Sequence, residues 1–251
     1  GTRDFSHFDV DEITSRAVAK AVDLLDAAPI ANGNYPVIFD HDIAPGMIRS
    51  FVPALYADTV QKGQSKLAGK IGEQIAAECF TLYNDPFVAD MPGSGLIDSE
   101  GIPSQKFDVI KNGVLNTFLY NLESAAKEGR HSTGSGSRSY AGKAGTGFDN
   151  MFIAKGKRSL EKMLNSQDKC LPVTRLEGSG IRSAVSGEIS VGIQGFLYEK
   201  GKRVQAVDRV TISGNYFDLL KDIGEFSNNY SDSFSSSKVA DMLINNMTVS
   251  G

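Results

Sequence analysis

The sequence predicts an α+β fold, a β-rich and mostly antiparallel domain with short helices, preceded by an N-terminal helix. Three observations lead there. Two Gly-containing turns flanked by apolar runs read as β-hairpins, helical periodicity is confined to short stretches, and no linker separates two independent cores. A chain of 251 residues is long enough to bury one large core.

Taken in order, Asp9-x-x-Glu12 has the form of a capping box, and Val10, Ile13, Ala17, Ala21, Leu24 and Leu25 follow at helical spacing. Pro29 and Asn32-Gly33-Asn34 end that helix, and the apolar run from Tyr35 to Asp40 predicts a buried strand. A second helix is expected next, with Asp42 as cap, Pro45 in its first turn, an apolar stripe of Ile43, Met47, Phe51 and Leu55, and a stop or kink at Pro53. Residues Ser65 to Ala77 fit helix or strand equally, whereas Glu78 to Tyr83 reads as a strand stopped by Asn84-Asp85-Pro86. Phe107 to Ile110 and Val114 to Tyr120 flank Lys111-Asn112-Gly113, a hairpin signal because Asn-Gly accepts positive φ. Gly195 to Tyr198 and Arg203 to Val207 repeat the design around Glu199 to Lys202. Short helices are expected at Leu122 to Glu128, stopped by Gly129, and at Leu160 to Leu164, capped by Ser159. Arg130 to Gly147 is a long Gly/Ser-rich loop, Gly224 to Lys238 a polar and mobile tail, and Met242 to Val249 a terminal strand.

Composition narrows the function. With 26 Lys and Arg against 30 Asp and Glu the net charge is −4, so no global positive field exists to hold a phosphate backbone and direct nucleic-acid binding is disfavoured. No run approaches the ~18 apolar residues of a membrane helix. Cys79 and Cys170 are far apart, which reads as two reduced structural thiols, and His7, His41 and His131 have no paired spacing for a histidine-rich metal site. The chain opens Gly1-Thr2-Arg3 with no initiator methionine or leader, read as a tag scar on a cytoplasmic fragment.

Catalytic motifs are scarce. Gly142-Lys143 is followed by Ala144 and lacks the upstream glycine of a P-loop, and no G-x-G-x-x-G or G-x-S-x-G occurs. Ser-x-x-Lys at Ser159/Lys162, Ser166/Lys169 and Ser235/Lys238 is too common a pattern to mark a nucleophile. Asp85, Asp90, Asp98 and Glu100 stand near turns, where carboxylates bond local backbone, although paired acids also serve cations or proton transfer. Arg130, Arg138, Lys143, Lys155, Lys157 and Arg158 make a basic middle, read first as a solvated face.

An ordered set of short motifs goes further. Ser65 to Gln74 (SKLAGKIGEQ), Leu82 to Pro86 (LYNDP), Asp98-Ser99-Glu100-Gly101, Ile110 to Leu115 (IKNGVL), Ser132-Thr133-Gly134, Val173 to Gly180 (VTRLEGSG), Ser186 to Ser190 (SGEIS) and Thr211 to Asn215 (TISGN) resemble the C-terminal domain of the TldD/PmbA family. That resemblance covers roughly residues 30 to 251. It implies a linker helix over 1–30, at the junction with an absent N-terminal domain, and the C-terminal domain over 31–251. TldD-type members carry His-Glu-x-x-x-His, which should fall on Ile48 to Pro53, where both histidines and the glutamate are missing. No cysteine follows Cys170 to supply a further ligand.

The resemblance therefore implies the PmbA/TldE branch, a subunit without a cofactor or catalytic residues of its own. Its expected partners are a TldD-type catalytic subunit, or a second copy of itself, and unfolded peptide, with no membrane. Ser132, Thr133, Gly134, Arg138, Arg175, Gly178, Gly180 and Gly187 are the candidate peptide-binding or interface residues, since glycine-rich loops let backbones approach closely. The alternative is a stand-alone peptide-binding or regulatory protein, in keeping with the family's gyrase-modulator label.

Overall fold

The computed structural model describes residues 9–178, 185–231 and 235–251. Helix α1 (Val10–Val22) starts at Asp9, whose carboxylate accepts the Glu12 N–H as the capping box predicts. It buries no residue, and side-chain ties such as Lys20 to Asp42 at 2.8 Å hold it to the rest. β1 (Gly33–Phe39) leads into α2 (Ala44–Phe51), which passes at Pro53 into a 3-10 turn (Val52–Leu55) and then α3 (Ala57–Gln61). β2 (Leu82–Asn84), β3 (Phe107–Lys111), β4 (Val114–Leu115), α4 (Leu122–Lys127), β5 (Gly136–Ser137), β6 (Gly145–Thr146) and β7 (Met151–Ile153) form the middle. The remainder is α5 (Leu160–Asn165), β8 (Lys169–Glu177), β9 (Glu188–Glu199), β10 (Lys202–Asn215), α6 (Tyr216–Leu219), β11 (Ile223–Tyr230), β12 (Ser237–Lys238) and β13 (Ala240–Ser250).

Two main sheets result. The larger has the order β1-β8-β9-β10-β13-β11, and β1 also pairs with β13, so five of its strands close into a ring. The smaller has the order β12-β7-β2-β3-β4, and β5 with β6 makes a separate two-stranded hairpin. Among the described strands β1 with β8 and β7 with β12 run parallel and the other strand pairs antiparallel, as the expected mostly antiparallel α+β class requires.

Phe80 from the smaller sheet's side meets Phe226 of β11 at 6.1 Å, which joins the two sheets in one core. α2 adds Met47, Ile48 and Phe51, and Phe51 stacks on Tyr216 of α6 at 5.5 Å. β1 is buried on both faces, because Val37 and Phe39 enter that core while Ile38 packs with Met163 of α5, Cys170 and Leu243. This two-sided burial is why the run reads as continuously apolar.

Both hairpin turns form as expected. Asn112 and Gly113 have φ of 49° and 78°, and Lys200 and Gly201 have 50° and 74°, the left-handed pair that a twisted hairpin needs. The first hairpin is shorter than predicted: Asn116 and Thr117 both donate to Val109 O, which ends β4 after Leu115.

Three expectations change. Ser65 to Ala77 is neither helix nor strand but a chain of turns, with Gly69 and Gly72 at φ of 75° and 88°. Gly224 to Lys238 is no mobile tail over its first part, since β11 pairs with β13 and buries Phe226 and Ser227. Asp42 does not cap α2, whose N-cap Ile43 has no side-chain hydrogen bond. Its carboxylate instead takes bonds from Lys20 and Ser231. Of the two thiols, Cys170 is buried and Cys79 exposed, and both are free.

The junction before α2 is fastened to β13 by one buried acid. Asp241 Oδ1 accepts from His41 N at 2.9 Å and bonds His41 Nδ1 at 2.8 Å, while Ser227 donates to Oδ2 at 2.7 Å. The Asp241 bond raises the His41 imidazole above its ordinary value against the opposing effect of burial, and Asp40 and Asp42 add to the rise. Burial acts to raise Asp241, but the bonds from His41 and Ser227 hold it below the usual carboxylate range.

Two predictions follow from this geometry. A Cβ at Gly113 would lie 2.0 Å from Gln74 Nε2 and 2.2 Å from Ala76 O at positive φ, so Gly113→Ala should cost more than about 1 kcal/mol in urea denaturation. A neutral result would mean that the turn relaxes freely. The raised His41 value means that its stabilisation is complete below about pH 6.5 and fades as pH climbs through the folded value. His41→Gln should therefore be more destabilising at pH 6 than at pH 9, and equal cost at both would show that the imidazolium contributes nothing.

Candidate functional site

β2 packs Leu82 into the core and Tyr83 on Phe152, while buried amides hold the loop after it. Asn84, fully buried, donates to Gln105 O and Asp149 Oδ2 at 2.9 Å each and accepts the Asp149 N–H at 2.9 Å. Asn150, equally buried, donates to Asp85 O and Ser94 Oγ and accepts from Gly93 N at 3.0 Å. Satisfying every amide group at such depth fixes the loop's position, since an unpaired buried amide costs about 1–3 kcal/mol.

Asp98 organises the next turn. Its Oδ1 accepts Glu100 N and Ile102 N at 2.9 Å, Gly101 takes φ of 81°, and Oδ2 reaches across to Gly136 N at 2.7 Å. Glu100 then accepts Leu122 N at the start of α4. The Asp98 to Gly101 motif thus joins the loop after β2, helix α4 and strand β5.

Between these parts lies an open cavity of about 280 Å³, lined by Ile97, Asp98, Ser99, Ser137, Phe148 and Asp149 with glycines between them. Burial raises the Asp149 carboxyl above its ordinary value, Asn84 partly offsets this, and the Asp98 charge pushes it further up.

Four of the sequence-derived candidates border this region. Ser132 Oγ donates to Tyr120 O, Thr133 Oγ1 accepts from Tyr120 N and donates to Ser135 Oγ, and Gly134 sits at φ 66°. A Cβ on Gly134 would lie 2.5 Å from Pro103 O, so its backbone approaches this chain's own loop. Arg138 is exposed on the β5–β6 hairpin with Nε on Gly142 O at 3.1 Å. The loop predicted as one Gly/Ser-rich segment is therefore a small hairpin over its central part, with Tyr140 fully exposed.

Arg175, Gly178 and Gly187 stand apart, in or next to strands of the larger sheet. Arg175 is an exposed residue of β8 opposite Gln194. Gly178 has φ 80° and open space beside it, and Gly187, at φ 76°, packs against the Phe217 ring and accepts Tyr216 N through its carbonyl. Gly180 lies outside the described residues. Among the described residues no hydrogen bond joins this group to the Ser132 to Arg138 group. The cavity between Asp98 and Asp149 escaped the sequence reading, although Asp98 was noted, because Asp149 carries no motif and approaches only through folding.

At the positions where the family's zinc ligands would fall, Ile48 is completely buried in the core, Arg49 is exposed and Pro53 is the second residue of the 3-10 turn. Ile48 and Pro53 have no side-chain donor atom and Arg49 is a cation, so this set does not fit a catalytic zinc. Asp40, His41 and Asp42 are the one trio of ligand-type side chains whose donor atoms converge among the described residues. His41 Nδ1 is committed to Asp241 and Asp42 to Lys20 and Ser231, a set built as a polar clasp.

Residues 32–251 match the PmbA/TldA metallopeptidase C-terminal domain. The chain is 32% identical over 216 residues to metalloprotease PmbA of Escherichia coli O157:H7, covering 86% of this chain and 46% of that protein. It superposes on TldE of Thermococcus kodakarensis with a TM-score of 0.89 at 31% identity, covering 98% of this chain and 56% of that one. A Thermotoga maritima protein described as a candidate DNA gyrase modulator gives 0.92 at 32% identity, covering 99% and 57%. The chain spans about half the length of these relatives. With the family domain matched across most of its length and its fold shared with TldE, the chain belongs to the PmbA/TldD metallopeptidase family.

Proposed function

We propose that this chain is the C-terminal domain of a metal-free, PmbA/TldE-like subunit of a TldD/TldE-type peptidase complex, which shapes the cleft for unfolded peptides and docks the catalytic partner. The observation that carries this reading is the stretch from Ile48 to Pro53 where zinc ligands would stand, filled instead by Ile48 of α2 in the core and by Pro53 in the turn after it. The likeness to TldE and the presence of both PmbA-named and TldD-named relatives support it.

In this reading no bond-breaking step runs through this chain. Its part is to hold an extended peptide, through main-chain hydrogen bonds that tolerate sequence variation and through the cavity beside the β5–β6 hairpin. Arg138 is the side chain there best placed to reach a peptide carbonyl or carboxylate, because it is exposed and, among the described residues, its one hydrogen-bond partner is Gly142 O. Arg175, Gly178 and Gly187 then belong to a second region, suited to the partner subunit. The gyrase-modulator description of the Thermotoga maritima relative motivates the second reading, a stand-alone regulatory protein.

The two readings separate in one preparation. Co-expressed with a TldD-type subunit, the chain should co-purify as a hetero-oligomer whose zinc content follows the partner, while the chain alone holds well under one equivalent after dialysis. Stoichiometric zinc in the isolated chain sinks the metal-free reading, and failure to co-purify favours the regulatory one. Within the complex, Arg138→Ala should raise KM for an unstructured peptide about fivefold, the loss of roughly 1 kcal/mol from one hydrogen bond, with an unchanged melting temperature. An unaltered KM removes Arg138 from the cleft.

A further inference from the structure

Helix α1 is amphipathic in the opposite sense to a helix lying on its own core. Val10, Val18 and Val22 are 64%, 57% and 58% exposed, Leu25 in the turn after the helix is 77% exposed, and α1 buries no residue. The contacts that hold it come from its polar side. Lys20 Nζ bonds Asp42 Oδ2 at 2.8 Å, and Asp23, the C-cap, accepts from Arg203 at its carboxylate at 3.0 Å and at its carbonyl at 2.7 Å. Val18 and Val22 are each two residues from Lys20, which places them about 160° from it around the helix. The charged side therefore faces this domain, and an apolar stripe faces away from it.

Two solvent-exposed ion pairs add little to stability, and a helix of 13 residues is marginal in water by itself. What covers the stripe follows from its size, its charge and its place in longer chains. At 1.5 Å per residue α1 is about 20 Å long, so one stripe buries far less than the ~1,200–2,000 Å² of a stable association between separate molecules. A second copy held by α1 alone is thus disfavoured, whereas a surface tethered to the same polypeptide meets the stripe at high effective concentration. Between residues 9 and 26 Arg16 and Lys20 are the only cations against five carboxylates, which makes an anionic membrane surface a poor fit. The Thermotoga maritima match covers 99% of this chain, and so takes in α1, but 57% of that one, so there the helix belongs to a longer chain. The family domain matched over residues 32–251 is a C-terminal one and starts after α1.

We propose that the stripe of Val10, Val18, Val22 and Leu25 is an intramolecular docking face for an apolar surface of the N-terminal half of the full-length subunit. Asp42 and Arg203 clamp the charged side of α1 to this domain, and the stripe receives the preceding half, so the helix is the joint that sets how the two halves sit against each other. Asp42 follows His41, whose bond to Asp241 ties that end of the joint to β13. This rests on the reading of the chain as the C-terminal domain of a PmbA/TldE-like subunit and names what orients that domain.

The test is hydrogen exchange on the full-length subunit, at a dilution where light scattering shows a monomer. Amides in the middle of α1 should exchange at least about a hundredfold more slowly than in an unstructured peptide. Val18→Ser combined with Val22→Ser should cut that protection about tenfold while exchange in β13 stays the same; serine and valine have similar helix propensity, so the loss reports packing. Arg203→Gln is the second variant, since it cuts a polar tie and leaves the stripe intact, and it should change the protection less than twofold. A larger loss from Arg203→Gln than from the serine pair overturns the docking face, because the ties alone would then hold the helix. The wild-type measurement decides by itself where a variant fails to fold. An unprotected α1 in the full-length monomer overturns the inference and leaves the subunit reading standing. Protection that appears only as dimers form assigns the stripe to a second copy, and protection that appears only on adding a TldD-type subunit assigns it to that partner; either result overturns the intramolecular face. An intact mass from the native source that leaves no room for an N-terminal half overturns the inference and the reading together.

Discussion

The structure depends on β13 using both of its edges. One edge runs antiparallel to β1 from Gly33↔Val249 to Phe39↔Met242, and the other is shared between β11 at its start and β10 at its end. The final residues of the chain thus close a ring that begins near residue 33. β1 must then be apolar on both faces, α2 must emerge at the end of β1 beside β13, and Asp241 comes within reach of His41. Closure also removes the free edges that a long open sheet would expose. It costs more chain entropy than local pairing does, because residues more than 200 positions apart must meet before any of it is stabilising.

The smaller sheet is held by a different physics. Its strands are short, three residues in β2 and β7 and two in β4, too little for main-chain ladders alone to fix a long loop. Asn84, Asn150 and Asp98 supply what the ladders lack, each bonding backbone far away in sequence. A buried amide network is stabilising only when every member is satisfied, so the same residues that position the cavity also make its shape intolerant of substitution. Gly93 shows the same constraint from the other side: a Cβ there would fall 1.9 Å from Asp149 O.

Local signals in the sequence proved readable where a side chain acts on its own neighbours. The Asp9 and Ser159 caps, the Asn112-Gly113 turn and the Gly129 stop each rest on contacts within a few residues, and each forms. Ser65 to Ala77 misleads because Leu67 and Ile75 are buried by tertiary packing, not by helix periodicity, while Gly69 and Gly72 take positive φ. β11 was hidden by its polar composition: Ser227 is buried because Asp241 receives its hydroxyl, and no period in the sequence announces that partner. The ordered family motifs located the Ser132 to Arg138 hairpin as a region of interest. They could not pair Asp98 with Asp149, which are brought together only when Asn84 clasps the residue before Asn150.

The same packing logic bears on the division of labour proposed for this subunit. A helix that presents ligands to a metal must keep polar ring nitrogens and a carboxylate at the positions facing the ion, and must find bonds for whatever the ion leaves over. α2 instead turns Met47, Ile48 and Phe51 into the core, and Tyr216 donates its hydroxyl to Met47 O just beneath. A histidine at Ile48 would bring two ring nitrogens among Phe39, Met242 and Ile244, with no acceptor or donor among those side chains. Once a helix is used this way it anchors the β1 junction at the centre of the molecule, and polar chemistry is displaced to surfaces that the core does not own. The cavity at Asp98 and Asp149 is such a surface: it is built from loops and a hairpin, bounded by glycines, and its carboxylates take their bonds from backbone N–H groups and the Asn84 amide.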